Sequence, residues 1–174
     1  VEIKLEDYMD YKTTDKPYPR GEILVRSKTG AHGYLNRPDL TAKSWTKDGF
    51  FHTGDIGLMI DSKHIRIIDR KKNIFKLSNG EWVSPEAVEA VICGECDSVK
   101  QIFIHGSSSI GHIVAVVVPV SDRVRVEDVI RDCNKLGDKL RHFERPRKGG
   151  LVLSRKTFNM EDGMCVFLLT FTHQ

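Results

Sequence analysis

With 174 residues the chain can bury a sizeable core, enough for one or two small domains. Its 40% hydrophobic and 29% charged residues are ordinary for a globular protein, which excludes a low-complexity or fibrous chain. A net charge of +3 is too modest to point to nucleic acid, and no apolar run approaches the roughly 20 residues that a membrane helix needs. The four cysteines, Cys93, Cys96, Cys133 and Cys165, make no convincing disulfide framework in a chain of this size. Cys93 and Cys96 have the spacing of half a zinc site, but no second pair follows, and the histidines show no ligand spacing either. No metal site is expected. The opening VEIKLEDYM lacks an initiator methionine and a signal peptide, so the chain is expected to be a piece of a longer protein.

In chain order, Glu2 to Leu5 alternates polar and apolar as a half-buried strand does. The segment from Asp10 to Arg20, with Pro17 and Pro19, reads as a surface connection, and Gly21 to Arg26 as a second strand. Asn36 to Ser44 is a short helix with Pro38 in its first turn. The spacing then predicts a tight glycine turn over Thr53-Gly54-Asp55-Ile56-Gly57, a strand at Leu58 to Ile60 and another at Ile65 to Ile68. Short strands at this interval suggest a small antiparallel sheet or partial barrel. After Asp69 the pattern changes: a turn at Asn79-Gly80, then a helix from Pro85 capped by Ser84, with Ala87, Val88, Val91 and Ile92 as its apolar stripe. Strands follow at Val99 to Ile104 and His112 to Val118, a helix at Val124 to Lys135, a second helix over Leu136 to Phe143, and a last strand at Gly150 to Ser154. The order is that of an α+β layer, with the two domains expected at 1–69 and 70–174.

One stretch, Gly49 to Glu86, concentrates the candidate chemistry. A carboxylate at Asp55 can accept hydrogen bonds from paired sugar hydroxyls, and a guanidinium at Arg70, one hairpin later, complements phosphate. Alone, a Thr-Gly-Asp turn is usually only a turn, and Arg70-Lys71-Lys72 only a solvated cationic face. His52 reads as a structural histidine. No Ser-His-Asp set and no pair of carboxylates marks a protein nucleophile.

The words HTGDIG, IIDRKKNIFK and GEWVSPE, preceded by RGEILVRS and GYLNRPDLT, resemble the adenylate-forming superfamily, and specifically the long-chain fatty acyl-CoA synthetases. The likeness runs in order from about Val1 to about Gly163. It implies that Asp55 binds the ribose hydroxyls of ATP and of the acyl-adenylate, that Arg70 contacts the adenylate, and that Asp69 is the hinge of a mobile small domain. It also implies that Lys76, Gly80, Glu81 and Trp82 face CoA during thioester formation, with Gly80 letting backbone approach a ligand. The substrates so implied are a fatty acid, ATP with Mg2+, and CoA. The phosphate loop, the magnesium motif and most of the acid tunnel of such enzymes are absent between Val1 and Gln174, so an N-terminal domain is expected to be missing and the isolated chain to be inactive. The lysine of adenylation is absent after Gly163, and its role does not pass to Lys156. The tail 164–174 is expected to be a replaced, atypical ending. Relatives of this family are often found at the endoplasmic reticulum, peroxisomes or lipid droplets, which implies an intracellular protein.

Two rivals stay open at this level. One is a fragment of an aryl- or medium-chain acid ligase, since the acid-selecting pocket is not in the chain. The other is a non-catalytic module that binds a partner and keeps a relic nucleotide half-site. Nucleic-acid binding through the scattered basic residues lacks the interleaved aromatic side chains it would need.

Overall fold

The computed structural model describes residues 1–158, and the tail 164–174 lies outside them. The chain divides into two compact units, Val1–Ile74 and Phe75–Gln174. The change of pattern seen after Asp69 falls inside a strand that runs on through Arg70, and the division comes between Ile74 and Phe75.

In the first unit, strands β1 (Glu2–Glu6), β2 (Arg20–Arg26), β3 (Phe51–Met59) and β4 (Ile65–Arg70) form one sheet in the order β1-β2-β3-β4. All neighbours pair antiparallel, each strand reached from the last by a loop or a short helix. Leu24 and Ile56 are fully buried, with Ile23, Phe50 and Leu58 nearly so. Helix α1 (Pro38–Ser44) has proline in its first turn, Asp39 near its N-terminus and Lys43 near its C-terminus, an order that suits the helix dipole. None of its residues is buried; it precedes an aromatic run in which Trp45 meets Tyr34 edge-on at 5.6 Å and Phe51 at 4.6 Å.

The expected turn at Thr53 to Gly57 is not a turn. Those residues lie inside β3, which is a single strand of nine residues. The glycines serve a kink rather than a reversal: Gly54 takes φ +75, and the register with β4 shifts between Ile56 and Gly57. Glycine permits that left-handed backbone within a paired strand, and an extra residue on one strand bends it without ending it.

The second unit opens with a hairpin of β5 (Phe75–Lys76) and β6 (Trp82–Val83), followed by helix α2 (Pro85–Glu95). Strands β7 (Val99–His105), β8 (Val114–Pro119) and β9 (Leu151–Leu153) make a sheet in the order β7-β8-β9. The β7–β8 pair is antiparallel; β9 runs parallel to β8 and is reached through helix α3 (Val126–Lys135). Val88 and Ile92 of α2, Val129 and Cys133 of α3, and Ile102, Ile104, Ala115 and Val117 of the sheet bury one another. Both strands alternate buried with half-exposed residues, as a sheet with one covered face must.

Two local expectations fail here. Ser84 occupies the position before α2 and is buried, but it makes no side-chain capping bond to the helix. Leu136 to Phe143 is not one helix but two single 3-10 turns, Gly137–Lys139 and His142–Glu144. Gly137 at φ +53 breaks the first from α3, and Arg145 then reaches back to donate to the Gly137 carbonyl at 2.5 Å and the Leu140 carbonyl at 3.0 Å. The Gly137 carbonyl also accepts from the Leu140 amide at 3.4 Å, and the guanidinium adds a donor to both carbonyls where the helix does not continue.

Candidate functional site

Asp55 and Arg70 are directly opposed residues of β3 and β4. Their side chains meet, with Arg70 Nε 3.3 Å from Asp55 Oδ1. Three contacts hold the kink that presents Asp55. The Thr53 hydroxyl donates to the Ile23 carbonyl of β2 at 2.8 Å and accepts from the Asp55 amide at 3.1 Å. Just beyond β4, the Lys71 amide donates to the Gly54 carbonyl at 2.7 Å. Asp55 is thus on a braced strand, while Arg70 keeps 60% of its side chain in solvent against 23% for Asp55. An ion pair so exposed contributes roughly 0–1 kcal/mol. A ligand offering hydroxyls to the acid and phosphate oxygens to the guanidinium can therefore recruit both groups at little cost.

Asp69, the expected hinge, is fully buried within β4, and its Oδ1 accepts from the Arg70 amide at 2.6 Å. The backbone after it turns at once: the amides of Asn73 and Ile74 both donate to the Arg70 carbonyl, at 2.9 and 3.4 Å.

The other four expected residues gather in the second unit, on the β5–β6 hairpin. Lys76 and Trp82 are paired across it, with the Lys76 ammonium 5.5 Å from the center of the Trp82 ring. Gly80 takes φ +90 in the connection, where its amide donates to the Leu77 carbonyl at 3.0 Å. The Glu81 carbonyl accepts from Leu77 at 2.9 Å, and the Trp82 carbonyl from Arg141 at 3.1 Å. The Ser78 amide ties the tip to the Ile110 carbonyl at 3.0 Å. The fold thus brings the six residues together as two groups: Asp55 and Arg70 in the first unit, Lys76, Gly80, Glu81 and Trp82 in the second.

Comparison with known proteins adds what geometry alone does not. No family model matches the chain. It is 48% identical over 118 residues to the peroxisomal long chain acyl-CoA synthetase 7 of Arabidopsis thaliana, covering 67% of this chain and 17% of that protein. It is 35% identical over 176 residues to a carboxylic acid reductase of Mycobacterium tuberculosis, covering 94% of this chain and 15% of that one. The solved A domain of the Segniliparus rugosus carboxylic acid reductase, in complex with AMP and a co-purified carboxylic acid, superposes with a TM-score of 0.78 at 33% identity. That match covers 94% of this chain and 27% of the solved one. The chain belongs to the adenylate-forming superfamily.

As an adenylate-forming chain it spans well under a third of the length of these relatives, and its α+β fold is that of their C-terminal domain. Some polar residues around the kink escaped sequence reasoning. Thr53 braces Asp55, and Lys71 both closes the Gly54 carbonyl and pairs with Glu22, its Nζ 2.8 Å from Glu22 Oε2. Glu22 is itself 3% exposed. The one available signal was a lone acid inside the apolar word RGEILVRS. His52, read as a structural histidine, holds a buried Nδ1 that has no hydrogen-bond partner among the described residues.

Proposed function

We propose that the chain is the C-terminal portion of a long-chain fatty acid-CoA ligase. Such an enzyme condenses a fatty acid with ATP to an acyl-adenylate and pyrophosphate, then transfers the acyl group to CoA and releases AMP. Magnesium travels with the triphosphate as part of the substrate. The observation that carries the reading is the cross-strand pair Asp55–Arg70 on a strand braced at Thr53 and Gly54. In it, Asp55 accepts hydrogen bonds from the ribose hydroxyls and Arg70 complements the phosphoryl or bridging oxygens. Asp69 is the hinge about which the small domain turns between the two half-reactions, because a single bound adenylate then meets two faces in succession. Lys76, Gly80, Glu81 and Trp82 form the face offered to CoA; the glycine leaves room for backbone to approach the pantetheine arm. The higher identity to the long chain acyl-CoA synthetase supports a long-chain acid, and that relative's name supports a peroxisomal setting.

A second reading is favoured by a different observation: the likeness to carboxylic acid reductases extends over 94% of the chain. In that case the same Asp55–Arg70 pair serves adenylation, and the acyl group has another acceptor than CoA. Assay of the full-length protein separates the two, since acyl-CoA accumulates only in the first.

The nucleotide site itself is tested by titrating AMP, and a nonhydrolysable acyl-adenylate analogue, into the chain. Asp55→Ala weakens binding about tenfold or more, since each hydrogen bond to a charged group is worth about 1.5–3 kcal/mol. Equal affinity for the wild-type chain and Asp55→Ala, with the fold retained, would refute the site.

A further inference from the structure

Three strands of the first unit bring together side chains far apart in sequence. Glu6, at the end of β1, lies opposite Glu22 of β2, and His52 of β3 lies opposite Leu24, two residues along β2. His52 Nδ1 is 3.3 Å from Glu22 Oε2 and 3.7 Å from Glu6 Oε2. One ligand atom from each residue falls within 4.8 Å of the other two. The ring nitrogen, Nδ1, is buried, and despite its closeness to two carboxylates it makes no hydrogen bond among the described residues. Glu22 stands within range but out of line for the bond, and Glu6 is too distant. Electron-rich nitrogen and oxygen atoms bunched in this way, with no aligned proton between them, call for a cation.

We propose that Glu6, Glu22 and His52 form a divalent metal site for an ion of the zinc class, with water in the fourth place. Imidazole and carboxylate donors suit such an ion. Metal–ligand distances in a tetrahedral zinc center place neighbouring ligand atoms about 3.3–3.6 Å apart. The two nitrogen–oxygen separations, 3.3 and 3.7 Å, meet that range with almost no adjustment, and the two carboxylate oxygens lie within 4.8 Å of each other. Lys71 is the cation the metal must contend with: its ammonium is 2.8 Å from Glu22 Oε2 and 4.6 Å from the center of the Tyr8 ring. It donates to the same Glu22 oxygen that stands 3.3 Å from His52 Nδ1, so the ion must take that atom from it, while Glu6 has no such competitor from Lys71. The site is structural. It clasps β1, β2 and β3 beside the kink that carries Asp55, where the Lys71 amide already closes the Gly54 carbonyl.

The test titrates Co2+ into the full chain in a Cys93→Ser, Cys165→Ser background, so that these two thiols do not compete. A saturable visible ligand-field band develops, Zn2+ displaces it, and the melting temperature rises with either ion. His52→Gln weakens Co2+ at least about tenfold. Lys71→Met tightens it, because the competing ammonium is gone. No saturable band, or a band indifferent to His52→Gln, overturns the site. Should His52→Gln fail to fold, Lys71→Met decides: unchanged or weaker binding in that folded variant overturns it equally.

Discussion

Gly54 sets where the carboxylate of Asp55 points. Its φ of +75 is a conformation that side-chain-bearing residues rarely adopt, yet a Cβ there would meet nothing within 4 Å. The cost of Gly54→Ala is therefore backbone strain alone, about 1–2 kcal/mol. Urea unfolding measures that loss, and nucleotide binding falls with it if the kink aims Asp55. Cys133 makes a different statement at the same scale. Burial, with the neighbouring Cys96 thiol 4.0 Å away, pushes its pKa up to about 12. A thiol with a raised folded-state pKa contributes stability that is complete below the ordinary value of about 8.5 and is lost as pH climbs toward the folded value. Unfolding free energy should thus fall between about pH 9 and pH 12, where the unfolded chain releases a proton that the folded chain retains. Cys133→Ala, less stable at pH 8, should show a shallower alkaline decline when denaturation curves are taken across that range.

At the scale of elements, the strands and helices with clear periodicity were legible. The β2 word, the β7 and β8 alternation and the Val88–Ile92 stripe of α2 each follow from burying one face, a demand local enough to be written in a dozen residues. Truncating Ile92 to Ala in that stripe, at a fully buried position, should cost about 2–5 kcal/mol in denaturant titrations. The misreadings share a cause. Thr53 to Gly57 has the composition of a turn, but Asp55 to Gly57 pair with β4 and Ile56 and Gly57 with β2, and those ladder hydrogen bonds outweigh turn propensity, leaving only the kink at Gly54. Leu136 to Phe143 has apolar spacing for a helix, but Gly137 and a distant arginine end it. Gly21 shows a constraint of the same nonlocal kind. Its hydrogen faces the Glu6 carbonyl of β1 so closely that a Cβ would collide with the backbone. Gly21→Ala should therefore part β1 from β2 and cost about 1–3 kcal/mol by overpacking, against the purely conformational loss at Gly54. Thermal melts of the two variants, compared with Trp45 fluorescence near the sheet, distinguish the mechanisms.

For the whole molecule, the chain carries two groups of candidate residues in two compact units, and it spans 17% of the long chain acyl-CoA synthetase it resembles. Purified 1–174 supplied with fatty acid, ATP, magnesium and CoA should release no AMP above background. Robust acyl-CoA formation, read by mass spectrometry of the thioester, would contradict the proposal that the triphosphate site lies elsewhere in a longer protein. The sequence by itself was enough for the superfamily, the α+β class and the identity of Asp55 and Arg70 as candidates, because a chemical vocabulary and a burial period are both properties of short words. That those two side chains meet was decided only by tertiary structure, through the register of β3 against β4. The same holds for Glu6, Glu22 and His52, whose positions in the sequence share no spacing. Strand pairing joins residues by the geometry of the sheet, and that geometry is settled by the packing of all its strands at once.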